Sequence, residues 1–114
     1  MELSIRTRAI EATDELRELI ERRLQYALDV FKDRIESVSV YLMDLNGPRR
    51  GIDKLCQITV RVRGVGDLGV LEKGATPAKA LSRAAGRVKY RVSEALRRSI
   101  RSSVESIRTN SEAA

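Results

Sequence analysis

The sequence predicts an α+β fold: a two-layer sandwich in the order β-α-β-β-β-α, with a four-stranded sheet and two helices packed on one face. Segments in which apolar and polar residues alternate, as in half-buried strands, are separated by two long segments with apolar residues at three- and four-residue spacing. The 114 residues, 42% of them apolar, have the size of one domain. Because each strand has one apolar face, both helices are expected on the same side of the sheet.

The first strand and first helix follow from the opening residues. Residues 2–8, ELSIRTR, alternate between apolar and polar side chains and predict a strand. Thr13 then precedes a helical pattern as an N-cap, with Asp14 and Glu15 in the first turn, where the helix dipole favours carboxylates. Apolar residues from Leu16 to Phe31 recur at helical spacing and predict an amphipathic helix of about 18 residues.

Three further strands are predicted between the helices, as an antiparallel meander. Residues 35–42 and 56–62 alternate with period two, and NGPRRG at 46–51 has the composition of a turn between them. Cys56 occupies an apolar position, so we expect it to be buried and inert. DLGVLE at 67–72 predicts a short fourth strand, weakened by Gly69.

The second helix is predicted to begin at Thr76–Pro77, because a threonine N-cap followed by proline starts helices. Its apolar residues run from Leu81 to Ile100, so the helix is expected to end near residue 100. The sequence therefore predicts a single domain over residues 1–101 and a flexible C-terminal tail over residues 102–114.

Composition argues against several classes of function. The chain has no histidine and one cysteine, which removes common acid–base groups and metal ligands. We therefore predict no enzyme, no metal site, no cofactor and no small-molecule substrate. No stretch reaches the roughly 18 apolar residues of a membrane span, and the first thirty residues lack the pattern of a signal peptide. A cytoplasmic protein without a membrane partner is expected.

The positive charge is concentrated in the second helix. Residues 1–76 contain 13 basic and 13 acidic side chains, whereas residues 77–101 contain eight basic and one acidic. At about 100° per residue, the basic side chains other than Lys89 share the outer face of the helix, over a length of about 33 Å. We call this face the arginine stripe; it comprises Lys79, Arg83, Arg87, Arg91, Arg97, Arg98 and Arg101, with Tyr90 in its middle.

The arginine stripe is most typical of a surface that binds nucleic-acid phosphate. Like charges four residues apart, as in Arg83–Arg87–Arg91, destabilise a helix, and a solvated face usually intersperses glutamate, as the first helix does. The planar guanidinium group also matches phosphate oxygens. A merely solvated face, an anionic membrane and an acidic protein partner remain alternatives. Tyr90 would stack on a base or ribose, or pack over arginine stems.

A second basic surface is predicted on the sheet face turned away from the helices. It carries Arg61 and Arg63, with Arg6, Arg8 and Tyr41 beside them. Sheet-surface RNA readers usually present two or three aromatic platforms, and Tyr41 is the only clear one here. We therefore treat Arg61 and Arg63 as secondary RNA-contact candidates, together with Arg49 and Arg50 at the predicted hairpin tip.

Residues 5–42 resemble the opening of the ribosome hibernation-promoting factors, also called ribosome-associated inhibitors, ribosomal subunit interface proteins or sigma-54 modulation proteins. The element order matches as well, so the resemblance covers roughly residues 2–98, and the chain is similar to the short form of the family. The matching positions are Ile5, Glu11, Thr13, Leu16, Arg17, Arg22–Arg23–Leu24, Phe31 and the step from Ile35 to Val38.

The resemblance implies a partner and a role. Family members bind 16S rRNA of the small ribosomal subunit, alone or in the 70S ribosome, at the channel for mRNA and tRNA, and silence translation in stress or stationary phase. Their contacts come chiefly from basic side chains of the second helix. Arg87 falls on the family's basic residue in mid-helix, and Arg97–Arg98 resembles its C-terminal basic cluster. Arg22 and Arg23 are further secondary contact candidates.

Two other functions are compatible with the sequence. A general module for double-stranded or structured RNA would use the same layout and bind A-form duplexes without preference for ribosomes. A small homo-oligomeric regulatory protein would pair its fourth strand edge to edge with a second copy. The sequence leaves the oligomeric state open.

Overall fold

A computed structural model describes residues 2–45 and 53–113, with the side chains of the last helix described as far as Arg101. The turn predicted at 46–51 lies outside these residues. The elements follow the predicted order: β1 (Glu2–Arg8), α1 (Asp14–Leu28), a 3-10 turn (Asp29–Phe31), β2 (Ile35–Asp44), β3 (Lys54–Val62), β4 (Gly66–Gly74) and α2 (Pro77–Ala113).

The four strands form one sheet in the order β1-β2-β3-β4. β1 runs parallel to β2, because α1 carries the chain back across the sheet between them, whereas β2, β3 and β4 are antiparallel neighbours. The meander predicted for the last three strands is therefore confirmed, and the complete sheet is mixed. The α+β class and the order β-α-β-β-β-α are also confirmed.

One hydrophobic core lies between the sheet and the two helices. The alternation of the strands places Val38, Val40 and Leu42 on the same face as Ile58 and Val60, so a continuous apolar surface faces the helices. Cys56 lies in this core as a free and fully buried thiol, as predicted. Burial raises the pKa of Cys56 to about 12, which keeps the thiol protonated at neutral pH.

Both helices begin at the predicted threonine caps. The Thr13 hydroxyl accepts a hydrogen bond from the Leu16 backbone N–H at 3.1 Å, and the Thr76 hydroxyl accepts one from the Lys79 N–H at 3.1 Å. Each bond satisfies a donor that the first turn of a helix leaves without a partner. These caps fix the point at which each helix leaves the sheet.

The fourth strand is longer than predicted. β4 spans nine residues, and β3 pairs with it from Val62 opposite Gly66 to Lys54 opposite Gly74. The turn between them is short because Gly64 and Gly66 adopt positive φ values of 80° and 107°, which lets pairing begin at once. Gly69, which weakened the strand signal in the sequence, does not interrupt the strand.

The second helix also exceeds its predicted end near residue 100 and continues to Ala113. Residues 101–113 contain neither proline nor glycine, so nothing in this segment terminates a helix. The flexibility expected for residues 102–114 stays a prediction. Ile100, predicted as one of the apolar residues that pack on the core, is 62% exposed. The last fully buried residue of α2 is Val92, so Ile100 lies beyond the part of the helix that packs on the core.

The start of α2 is packed closely onto the end of β4, at Gly74. A Cβ added to Gly74 would lie 2.5 Å from the backbone nitrogen of Ala80 and 2.9 Å from its Cα. Because backbone atoms cannot move aside as a flexible side chain does, we expect Gly74→Ala to lower the free energy of unfolding by about 1–3 kcal/mol. Urea unfolding followed by circular dichroism measures this change.

Gly69→Ala is the matched control, in the same strand. A Cβ at Gly69 would meet only ordinary contacts, the nearest being the Thr59 hydroxyl at 3.8 Å. This substitution is expected to leave stability unchanged or to raise it by up to about 1 kcal/mol, because glycine is unfavourable within a strand. Equal stability of the two variants would show that α2 does not need the close approach at Gly74.

Candidate nucleic-acid interface

The arginine stripe is positioned by the apolar side of α2. Leu81, Ala84, Val88 and Val92 are fully buried, and the helix packs on β3, β4 and α1. Since these buried residues recur every three to four positions, the opposite side of the helix faces solvent. All eight residues predicted for this surface are exposed: Lys79, Arg83, Arg87, Tyr90, Arg91, Arg97, Arg98 and Arg101. The structure thus brings them together on one face.

Two arginines of the stripe also contact β4 at the edge of the sheet. The Arg87 Nη1 atom lies 2.6 Å from Glu72 Oε1 and 3.5 Å from the Leu71 carbonyl oxygen, and Arg83 Nη1 donates to the Lys73 carbonyl at 3.3 Å. Carbonyls two residues apart point to the same side of a strand. Arg83 and Arg87 therefore reach along this edge of β4, although the Arg87 side chain stays 56% exposed.

The remaining cations of the stripe are less compensated. Arg97 lies 3.4 Å from Glu94, one turn earlier on the same helix, in an exposed pair of small energetic value. Among the side chains that the structure describes, no carboxylate comes within ion-pair distance of Lys79, Arg91, Arg98 or Arg101. These four groups are exposed and direct positive charge to solvent, where a polyanion can bind it.

Tyr90 borders a groove between α2 and β4. The groove has a volume of about 330 Å³ and is lined by Leu68, Tyr90, Arg91, Glu94, Ala95 and Arg98. The Tyr90 side chain is 66% exposed. Within the described part of the chain, the cation–π contact is that of Arg6 over Tyr41, at 4.6 Å, so no guanidinium group covers the Tyr90 ring.

Arg22 and Arg23 lie on α1, in the same helical layer as the stripe. They are exposed and, with Leu19 and the 85% exposed Tyr26, line a separate groove of about 520 Å³. Because α1 packs beside α2, an RNA surface that covers the helical layer would reach both helices. Arg22 and Arg23 thus lie in the same helical layer as the arginine stripe but are not part of it.

The other secondary candidates lie elsewhere. Arg61 is on the open face of the sheet, where Asp67 forms an exposed ion pair with it at 3.0 Å and raises the pKa of its guanidinium group. Arg63 lies in the turn after β3 and is exposed; its carbonyl accepts a hydrogen bond from Arg34 at 3.0 Å. Arg49 and Arg50 lie outside the described residues.

Sequence reasoning missed the contribution of β4 to this site. Glu72, the ion-pair partner of Arg87, and Leu68, which lines the groove beside Tyr90, both belong to this strand. Together with Val70, which lies between them, they are on the side of the sheet that faces the helices. The period-two pattern of the strand predicts that Leu68 and Glu72 face the same side of the sheet. It does not predict the distance between Glu72 and α2.

Two features are absent from the described residues. No helix there is long and apolar enough to cross a membrane. No group of three or more cysteine, aspartate or glutamate side chains in residues 2–45 and 53–101 is arranged to hold a metal ion. Asp44 and Asp53 both contact Lys54, at 3.1 and 2.7 Å.

A mixed four-stranded sheet, covered on one side by two helices of which the second has a basic outer face, defines the chain as a small α+β protein. The family model described as "Sigma 54 modulation protein / S30EA ribosomal protein" matches residues 3–101. The chain belongs to this family, whose members are ribosome-associated modulation proteins without enzymatic activity.

Solved structures show the same fold. The N-terminal domain of Protein Y from Thermus thermophilus is 28% identical, with a TM-score of 0.68 over 81% of this chain and 96% of that one. A ribosomal subunit interface protein from Coxiella burnetii has a TM-score of 0.69 at 15% identity, over 82% of this chain and 96% of that one, which shows likeness of fold alone. The comparison with curated protein sequences gives no match.

Proposed function

We propose that this protein is a translation inhibitor that docks on the 16S rRNA of the small ribosomal subunit through the arginine stripe. It binds 30S subunits and 70S ribosomes in the cytoplasm and blocks the mRNA and tRNA channel under stress or in stationary phase. The observation that carries this proposal is the exposed row of cations on α2, four of them without an ion-pair partner among the described side chains, in a chain of the S30EA family. The mechanism needs no cofactor and no catalytic residue.

The protein inhibits translation by occupying the space that mRNA and tRNA need. Lys79, Arg91 and Arg98 bind phosphates and release the counterions that these phosphates hold, which supplies affinity without reading sequence. The sheet, rigidly packed under α2, then fills space that mRNA or tRNA would enter. Ribosome-bound protein and bound tRNA are therefore mutually exclusive.

The alternative of a dimer through β4 is disfavoured by the contacts of that strand. Arg83 and Arg87 reach the carbonyls of Lys73 and Leu71, so part of this edge already has hydrogen-bond donors from its own chain. A second copy could pair there only by displacing them. The general RNA-binding alternative has the same charged surface and is separated from our proposal by experiment.

Sedimentation of the purified protein with 30S, 50S and 70S particles tests the proposal, with tRNA as competitor and an A-form duplex RNA as control. We expect saturable binding to 30S and 70S particles, none to 50S, and displacement by tRNA. Equal affinity for all particles and for the duplex would identify a general RNA-binding module. Absence of binding to every RNA would refute both functions.

A further inference from the structure

We propose that the groove beside Tyr90 is a binding subsite for one unstacked RNA nucleotide. The base stacks on the Tyr90 ring, while Arg91 and Arg98 contact the phosphates on either side of it. This inference rests on the proposed function and narrows the kind of RNA that the surface requires. The bound strand has a bulge, loop or end at this point, because the bases of a continuous A-form duplex are stacked on one another.

The apolar part of the groove suits a base. Leu68 and Ala95 line it together with the Tyr90 ring, which is 66% exposed and carries no stacked guanidinium group within the described part of the chain. An exposed ring beside two apolar side chains provides a platform on which any base can stack.

The charges of the groove suit the phosphates that flank such a base. Arg91 and Arg98 are seven residues apart, so they lie on the same side of α2 with about 10.5 Å between them along the axis. Glu94 lies between them and also lines the groove. Its negative charge disfavours a phosphate at the centre, so phosphates are directed to the two arginines and the base to the middle.

The dimensions agree with a single nucleotide. The groove volume of about 330 Å³ lies at the small end of the range for ligand sites in proteins, about 300–1,000 Å³. A duplex is far too wide to enter it and would contact only the outer rim. Arg91 and Arg98 form that rim, so they bind phosphate whether or not a base occupies the groove.

Three substitutions of Tyr90 test the subsite through the affinity for 30S subunits at fixed salt. Tyr90→Phe keeps the aromatic face and is expected to bind like the wild type. Tyr90→Leu keeps an apolar side chain that can pack over arginine stems but cannot stack, and we expect about five- to tenfold weaker binding. Tyr90→Ala is expected to lose at least as much. Because Tyr90 is exposed, all three variants should have the melting temperature of the wild type.

Val30→Ala is the control, since Val30 is an exposed apolar residue on the 3-10 turn that lines neither groove, and it should leave 30S affinity unchanged. Equal binding by Tyr90→Leu and Tyr90→Phe would overturn the subsite, because packing alone would then explain the tyrosine. The same holds if Val30→Ala weakens binding as much as Tyr90→Leu. If the wild type does not bind 30S subunits, the proposed function fails and the subsite with it. If the wild type binds but Tyr90→Leu binds equally well, the subsite fails and the proposed function stands.

Discussion

Replacing both Arg91 and Arg98 by glutamate is expected to lower the affinity for 30S subunits by about 100-fold or more. Each substitution removes one attraction to phosphate and adds one repulsion, and the two residues face solvent without a carboxylate partner among the described side chains. The fold should survive, because neither side chain belongs to the core. Binding isotherms of labelled protein with purified 30S subunits measure the effect.

A control of equal charge distinguishes local contact from net charge. Lys89→Glu combined with Lys32→Glu also changes the net charge by four units, but Lys89 lies off the arginine stripe and Lys32 lies on the turn after α1. We expect this variant to lose less than about fivefold in affinity. Equal losses in the two double variants would mean that the protein is held by its overall charge, and that the stripe has no special place in binding.

Arg87 is a poorer choice for this experiment, although it is the residue that family resemblance selects. Its guanidinium group lies 2.6 Å from the Glu72 carboxylate, so Arg87→Glu would place two carboxylates together beside β4. Loss of binding could then come from disturbed packing of α2. Arg91 and Arg98 make no hydrogen bond or ion pair with β4 among the described side chains, so their exchange does not disturb such a contact.

Salt is expected to have an effect of similar size. If five cations of the stripe contact phosphate, raising monovalent salt from about 50 to 200 mM should lower 30S affinity by about 100- to 500-fold, because each contact releases condensed counterions. The slope of log affinity against log salt should lie between about −3.5 and −4.5. A salt series at constant magnesium concentration measures it.

The charge variants provide an internal check on this slope. The Arg91 and Arg98 double variant should have a slope shallower by about 1.4 to 1.8, the value of two phosphate contacts. The Lys32 and Lys89 variant should keep the wild-type slope. A wild-type slope near −1 would contradict the proposed mode of binding. So would a double variant that binds more weakly with an unchanged slope.

The sequence was sufficient for the fold because its local signals agreed with one another. Thr13 and Thr76 cap the helices that follow them, and the period-two segments form the strands. The boundaries were less accurate for physical reasons. Gly69 weakens a strand in isolation, but pairing along the whole of β3 outweighs that cost. The end of α2 was misplaced because residues 102–113 contain few apolar side chains to bury, although none of them terminates a helix.

The candidate site was predictable where it depends on one helix. Helical geometry alone places Arg83, Arg91 and Arg98 on one exposed face, as the structure shows. Contacts between elements were not predictable in this way. The pairing of Arg87 with Glu72, and the position of Leu68 beside Tyr90, depend on how α2 lies over β4, a tertiary arrangement that no local pattern specifies.

The close approach of α2 to Gly74 has a geometric consequence for recognition. The helix is held at its first turn and along its buried side as far as Val92, and it continues unbroken beyond that point, so this packing sets its direction. At about 1.5 Å per residue, Arg101 lies about 32 Å from Ala80, and a change of about 5° in the direction of the helix would displace it by about 3 Å. A small error in packing at a glycine remote from any phosphate would thus put the far arginines out of register with their targets.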